Sequence, residues 1–341
     1  KYGYELNIYI SDKTDNMMAN IFGRRIDGAV ILNEHIKEKE EKFLADNQFP
    51  TVFIDRELKG DTISSVVFDS YHEGEMVAVV GSSGSGKSLL AHGILGILPY
   101  NARLGGRMLY EGEELTRKRQ EALRGNEIVL VPQSVAFLDP LMKIGPQIRK
   151  GKKDSESKKK LDGIFEGYHL KREVQELYPF ELSGGMNRRV LVSTAMMGNP
   201  RLVIADEPTP GLHMKMVRRV MSHFRELADQ GAGVLLITHD LEQALEVADR
   251  VVVFYAGTTV EDADVKDFAR EETLRHPYSK ALWRALPQNG FQFIGGTQPY
   301  VKELPKGCPF GPRCEYFCGA CEREIPYREV RGGKVRCISA E

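Results

Sequence analysis

The sequence predicts an α/β protein built around a phosphate-binding loop, and three observations carry that prediction. Short apolar runs alternate with amphipathic helical stretches, the pattern of a mainly parallel sheet with crossover helices. The run Met76–Val80 leads into Gly81-Ser82-Ser83-Gly84-Ser85-Gly86-Lys87-Ser88, which is followed by an apolar helical segment. That is the strand–loop–helix setting the motif G-x-x-x-x-G-K-[ST] needs. A second apolar run, 202–205, ends in Asp206-Glu207 and so delivers two carboxylates at a strand's C-terminal edge, where open α/β sheets bind ligands.

The bulk numbers fit such a chain. Apolar residues make up 42 % of the 341 residues and charged residues 28 %, a globular rather than a disordered balance. The length leaves room for two or three domains. A formal net charge of −1 gives no reason to expect nucleic acid, whose binders carry a basic excess. No apolar run approaches the roughly 18 residues that span a bilayer. The best stretch, 89–98, is broken by His92, Gly93 and Gly96. With no secretory signal read at its start, the chain is expected in the cytosol.

Taken in order, residues 1–71 alternate: a strand at 6–10, a buried strand at 28–32, a helix at 34–47 with Ile36, Phe43 and Leu44 as apolar contacts, and a strand Thr51–Ile54 after Pro50. A second pattern opens at Glu73 with Met76–Val80. Strands follow around 106–110 and at Ile128–Val131, then a polar, helix-rich stretch to Pro179. A helix starts at Ser183, a strand covers 202–205, a helix 218–228 and a strand 234–238. The charge run 149–160 reads as a solvated loop or helix face. From about Asp262 the texture turns loop-rich, and past Lys306 cysteine-rich.

The chemistry follows from residue types. Glycines let backbone N–H groups curl around phosphates, and the following helix turns its positive end toward them. Lys87 suits the β/γ-phosphates and the Ser88 hydroxyl suits Mg²⁺. Asp206 suits the Mg²⁺ shell, and Glu207 suits polarising an attacking water.

Three further features add to these. Leu182-Ser183-Gly184-Gly185-Met186 places Ser183 23 residues before Asp206, Gln133 follows the strand Ile128–Val131, and His239 lies 32 residues past Glu207. In this order and spacing the chain resembles the ABC ATPase family, which implies a P-loop NTPase core with a helical subdomain. The resemblance implies that two such domains sandwich two ATP molecules head to tail. Lys87 and Ser88 would hold one ATP, while Ser183, Gly184 and Gly185 would contact the γ-phosphate of the ATP on the partner. Gln133 would touch Mg²⁺ and the lytic water and report to membrane subunits, and His239 would hold the γ-phosphate and orient Glu207. Two departures stand out: His213 in Pro210-Gly211-Leu212-His213, where the family usually has Asp, and Asn187-Arg188-Arg189 after the signature.

The tail is specific. His276-Pro277-Tyr278-Ser279-Lys280-Ala281-Leu282 and Leu304-Pro305-Lys306-Gly307-Cys308-Pro309-Phe310-Gly311-Pro312-Arg313-Cys314 resemble the C-terminal region of dipeptide, oligopeptide and nickel importer ATPases. This implies ATP hydrolysis coupled to import, with two transmembrane permease subunits as partners. An extracytoplasmic solute-binding protein would be reached indirectly, and the chain would lie peripherally on the cytoplasmic membrane face of a bacterium. All five cysteines fall between Cys308 and Cys337. In a cytosolic setting such clusters are more often metal ligands or reactive thiols than disulfides. Four thiolates suit a four-iron, four-sulfur cluster or tetrahedral zinc, and reduced thiols in a small apolar knot are the third reading. The resemblance implies the 4Fe-4S cluster, on Cys308, Cys314, Cys321 and Cys337, with Cys318 left over.

Residues 1–71 lack the two strands and stacking aromatic usual ahead of such a phosphate loop. Tyr2-Gly3-Tyr4-Glu5-Leu6, 24–32, Phe53-Ile54-Asp55-Arg56 and 65–69 instead resemble the sugar-binding domain of Lac-repressor-type regulators, a flavodoxin-like, periplasmic-binding-like α/β fold. Only part of that domain is matched, so neither operator nor effector binding is expected. The stretch 65–68 is expected to replace the missing strand, with Phe68 or Tyr71 as the aromatic. The expected division is 1–71, 72–260 for the ATPase core, and 261–341 for a small Cys-rich domain. An inert or partly folded chimera and a ligand-sensing regulator are the competing readings.

Overall fold

A computed structural model describes residues 29–31, 51–54, 63–66, 74–98, 108–299 and 304–340. The strand expected at 6–10, the helix at 34–47, and the aromatics Phe68 and Tyr71 lie outside the described residues. Strands β1 (Ala29–Ile31), β2 (Thr51–Ile54) and β3 (Ile63–Val66) form a parallel three-stranded sheet in that order, Ala29 pairing with Thr51 and Thr51 with Ile63. Of the stretch 65–68, expected to replace a strand of the nucleotide-site sheet, residues 67–68 lie outside the described residues. Ser65 and Val66 belong to β3, which hydrogen-bonds to β2.

The chain forms two compact units, one drawn from Tyr71–Ala78 and Leu123–Asp249, the other from Lys1–Ser70, Val79–Ala122 and Arg250–Glu341. Strand β4 (Met76–Val80) runs through the boundary between these segments and contributes to both.

In the unit containing Leu123–Asp249, the strand order is β4-β9-β8-β7, with β7 Ile128–Val131, β8 Leu202–Asp206 and β9 Gly233–Thr238. Pairing is parallel, from Ile128↔Leu202 to Asp206↔Ile237. Strands β8 and β9 are buried along their whole length, which is why their sequences are unbroken apolar runs rather than alternating ones. The charge run ends on helix α2 (Ser155–Gly167), capped by Asp154, whose side chain accepts the Ser157 N–H at 2.7 Å. Lys158, Lys159 and Lys160 are exposed, as a solvated face requires. Helix α3 (Gly184–Met196) follows Ser183, and α4 (Met214–Asp229) buries Met216, Val217, Val220, Met221, Phe224 and Ala228 on one face at helical spacing. Helix α5 (Leu241–Val247) is capped by Asp240.

In the other unit, α1 (Lys87–Leu95) follows the glycine-rich loop, and a short hairpin joins β5 (Leu109–Tyr110) to β6 (Glu113–Glu114). The sheet order here is β12-β13-β11-β10-β4, with β10 Arg250–Tyr255, β11 Thr258–Asp264, β12 Arg328–Val330 and β13 Gly333–Val335. This antiparallel extension goes beyond the loop-rich texture expected from Asp262 onward. Strand β11 is polar in sequence yet buried, and Glu261 is 0 % exposed. Its carboxylate accepts the backbone N–H of Arg275 at 2.9 Å and of His276 at 2.8 Å, and it pairs with the Arg275 guanidinium at 3.3 Å. Those bonds fix the entry to α6 (Pro277–Arg284), where Pro277 occupies the first helical position.

Candidate nucleotide site

The phosphate loop leaves β4 at Gly81, where a Cβ would come within 2.0 Å of the Phe254 carbonyl oxygen. Only glycine fits that approach of the loop to β10. Gly86, at φ +99, turns the chain into α1 with no side-chain cap, so the helix begins on backbone groups alone. Lys87 is buried, and its ammonium donates to the carbonyls of Gly81 at 2.8 Å and Ser82 at 2.9 Å. The Ser85 carbonyl accepts the Gly257 N–H at 3.0 Å, while the buried Ser85 hydroxyl has no hydrogen-bond partner among the described residues. Ser83 and Gly84 are exposed, and Ser88 is half-buried at the helix start. A curled loop with an orphaned hydroxyl and a buried ammonium fits a polyphosphate with its bound Mg²⁺.

The acidic residues belong to the other unit. Asp206 ends β8 at 2 % exposure, and Glu207 follows at 7 % with φ +45, a left-handed backbone rare for a non-glycine residue. That conformation is held by the Glu207 N–H donating to the Ile237 carbonyl at 2.9 Å. The register Asp206↔Ile237 brings the ends of β8 and β9 to one edge, so His239 meets Glu207: its Nδ1 lies 2.8 Å from both carboxylate oxygens. Gln133 is exposed just past β7. Ser183 and Gly184 are exposed and Gly185 half-buried, with the Ser183 hydroxyl capping α3 by accepting the Met186 N–H at 3.3 Å. His213 occupies the N-cap of α4 and provides no side-chain cap bond.

Arg188 was singled out only as a departure, and the structure gives it a place. Its guanidinium donates to the Pro132 carbonyl at 3.1 Å, one residue before Gln133. Burial holds its pKa below the ordinary arginine range, with the charges of Glu207 and Asp206 opposing that shift. Phe254 and Gly257, which shape the phosphate loop, carry no local motif and were not legible as site residues.

The cysteines call for a correction. Cys308, Cys321 and Cys337 are buried, Cys314 is half-buried, and Cys318, outside the expected set of four, is exposed. Among the described residues no group of three or more His, Cys, Asp or Glu is arranged to hold a metal ion. The 4Fe-4S or zinc centre expected on Cys308, Cys314, Cys321 and Cys337 therefore does not fit the side chains as they stand. Cys337 packs with Val335 and Ala340, and buried thiols behave as small hydrophobes. Burial pushes the Cys308 thiol up to about 12 and raises Cys314, Cys321 and Cys337 as well. Cys318 moves the other way, lowered by a hydrogen bond with Cys321, whose sulfur lies 3.6 Å away.

A buried strand feeding a glycine-rich loop, and a parallel strand ending in an Asp-Glu pair met by a histidine, define a P-loop nucleotide-hydrolysing class. Comparison with known proteins narrows it. Residues 67–210 match the family described as ABC transporter, and residues 260–321 match the oligopeptide/dipeptide transporter C-terminal region. The chain is 34 % identical to the oligopeptide transport ATP-binding protein OppD of Escherichia coli (strain K12), over 78 % of this chain and 84 % of that protein. It is 35 % identical to the dipeptide transport ATP-binding protein DppD of Bacillus subtilis (strain 168), over 79 % and 85 %. Among solved structures, an ATP-binding subunit of an ABC transporter superposes with a TM-score of 0.53 at 26 % identity, covering 62 % of this chain and 88 % of that one. The chain belongs to the ABC transporter ATP-binding proteins of the oligopeptide/dipeptide importer family, and it is an ABC-type ATPase that uses ATP with Mg²⁺.

Proposed function

We propose that this chain hydrolyses ATP to energise import of oligopeptides or dipeptides. The observation that carries the proposal is the contact of His239 with both oxygens of Glu207, which holds a carboxylate as a base at the end of β8. Glu207 polarises the attacking water, and His239 orients Glu207 and touches the γ-phosphate. Gly81, Ser82, Ser83, Gly84, Ser85 and Gly86 wrap the phosphates with backbone N–H groups, and Lys87 neutralises the β/γ charge. Ser88, Asp206 and Gln133 would hold Mg²⁺, which would supply further charge neutralisation at the phosphates. Catalysis of this kind is positioning and charge neutralisation more than covalent chemistry.

Ser183, Gly184 and Gly185 are assigned to the γ-phosphate of an ATP held by a second, homologous ATPase subunit. The exposure of Ser183 and Gly184 at the N-terminus of a 13-residue helix supports this, since that end attracts anions. Two permease subunits complete the assembly, with a solute-binding protein acting on the far side of the membrane. No described helix is long and apolar enough to cross a membrane, consistent with a peripheral place on its cytoplasmic face. Relatives named for peptide transport favour peptides over nickel as the solute. The parallel sheet β1-β2-β3 supports reading residues 1–71 as a partial periplasmic-binding-like segment, ahead of an ATPase core at 72–260 and a tail at 261–341.

The test is titration of the purified full chain with a fluorescent ATP analogue and Mg²⁺, with Lys87→Ala as control. Micromolar binding lost in Lys87→Ala supports the reading. A folded wild-type chain that binds no nucleotide leaves the inert-chimera reading in its place.

A further inference from the structure

The His276-Pro277-Tyr278 motif has no role in the function proposed above, yet its tyrosine reaches the phosphate loop. The Tyr278 hydroxyl accepts the Ser82 backbone N–H at 3.3 Å and shares a 2.8 Å hydrogen bond with the Ser82 hydroxyl. Both residues lie in the same compact unit, 196 positions apart in sequence. The side chain that makes this reach is fully buried.

The surroundings fix where the hydroxyl points. The Tyr278 ring packs 4.5 Å from the Tyr255 ring at the end of β10 and 5.3 Å from Phe310, which lies between Cys308 and Cys314. The Tyr278 N–H donates to His276 Nδ1 at 3.0 Å, and the His276 N–H is held by Glu261 of β11. Backbone and ring are thus both anchored, which holds the hydroxyl against Ser82.

Ser82 is gripped from two sides. Its carbonyl accepts the Lys87 ammonium at 2.9 Å, and its N–H and hydroxyl bond to Tyr278. A triphosphate that draws Lys87 toward its oxygens releases the carbonyl side of that grip. The Tyr278 side remains, and it keeps the loop in register while the lysine changes partner.

We propose that Tyr278 is a positioning residue of the nucleotide site, holding Ser82 so that the phosphate loop is pre-set for a nucleoside triphosphate. The C-terminal region is then a working part of the ATP site. The inference rests on the nucleotide reading of the phosphate loop.

Tyr278→Phe tests it, because it keeps the ring and removes only the hydroxyl. In the full chain, the dissociation constant for the Mg²⁺-bound fluorescent ATP analogue is expected to rise about 3- to 10-fold, the effect of one lost neutral hydrogen bond. Turnover at saturating ATP should change less than about 2-fold, so the loss falls on KM rather than kcat. Ser82→Ala removes the partner hydroxyl from a half-exposed loop without touching the packed tail, and should weaken binding in the same direction. The double variant should lose less than the product of the two single losses, as interacting partners do. Wild-type affinity in folded Tyr278→Phe, or in Ser82→Ala if the first variant does not fold, overturns the proposal, as do fully multiplicative losses. Wild-type chain that fails to bind overturns the nucleotide reading and this inference together, so the two failures are told apart.

Discussion

His239 Nδ1 lies 2.8 Å from both carboxylate oxygens of Glu207, so the histidine faces the carboxylate symmetrically rather than bonding one oxygen. Glu207 is nearly buried, on a left-handed backbone that a neighbouring strand holds in place. A group so confined is suited to act on a water it does not itself have to find. Glu207→Gln keeps the size and the hydrogen bond to His239 but removes the base. ATP turnover is expected to fall by about 10²- to 10⁴-fold, with binding of the fluorescent ATP analogue retained. Phosphate release and analogue titration on the same sample check this, and turnover within a few-fold of wild type would remove Glu207 from the chemistry.

Arg275 and Glu261 form an ion pair with side chains 1 % and 0 % exposed, extended by Asp267 at 2.8 Å from the same guanidinium. Removing the cation strands a carboxylate in the interior. Arg275→Met is therefore expected to destabilise the fold by about 3–5 kcal/mol, the range for breaking a buried pair from one side. Urea unfolding followed by circular dichroism measures it. A loss under about 1 kcal/mol would mean that water or a rearranged side chain reaches Glu261.

How far this was readable depended on whether a residue's partner was near in sequence. Strands Met76–Val80 and Ile128–Val131 are as expected, because buried parallel strands are continuous apolar runs with sharp polar ends. Helix α4 starts at Met214, four residues before the expected 218, since His213 gives no recognisable cap. Strand β11 carries no apolar run to announce it, because Thr258, Glu261 and Asp262 are polar, and the buried carboxylates of Glu261 and Asp262 are met by Arg275 and Arg250 from outside the strand. The phosphate loop, the Asp-Glu pair and His239 were legible as local motifs. Tyr278 and Arg188 were not legible as contacts, since each reaches its partner through tertiary packing. The cysteine spacing pointed to metal, and the side-chain geometry does not supply such a site.

His213 begins α4 with φ −75 and ψ 155, the extended backbone that N-cap residues use, yet it makes no cap bond. His213→Asp would offer a carboxylate to the first-turn N–H groups and place a negative charge at the helix N-terminus. The expected gain is about 1 kcal/mol in unfolding free energy, read as a higher denaturant midpoint at unchanged slope. An unchanged midpoint would show that the histidine already serves this helix end in another way.

His276 is fully buried, its Nε2 has no hydrogen-bond partner among the described residues, and desolvation lowers its pKa to about 3. In the unfolded chain an ordinary histidine titrates near 6.5. Above about pH 6.5 both states hold a neutral ring, and the residue adds no pH dependence. As pH falls below that value the unfolded chain takes up a proton that the folded chain refuses. Stability is then lost at up to about 1.4 kcal/mol per pH unit until the folded-state pKa is approached. His223 is also lowered by burial and acts with the same sign, so the wild-type slope alone does not isolate His276. His276→Asn leaves His223 in place and removes only one titration. Between pH 7.5 and 5.5 the unfolding free energy of wild type, from urea titrations, should fall more steeply than that of His276→Asn, the difference reaching about 1.4 kcal/mol at the lower pH. Parallel profiles would mean that His276 takes up a proton inside the fold, and that the entry to α6 opens enough to solvate it.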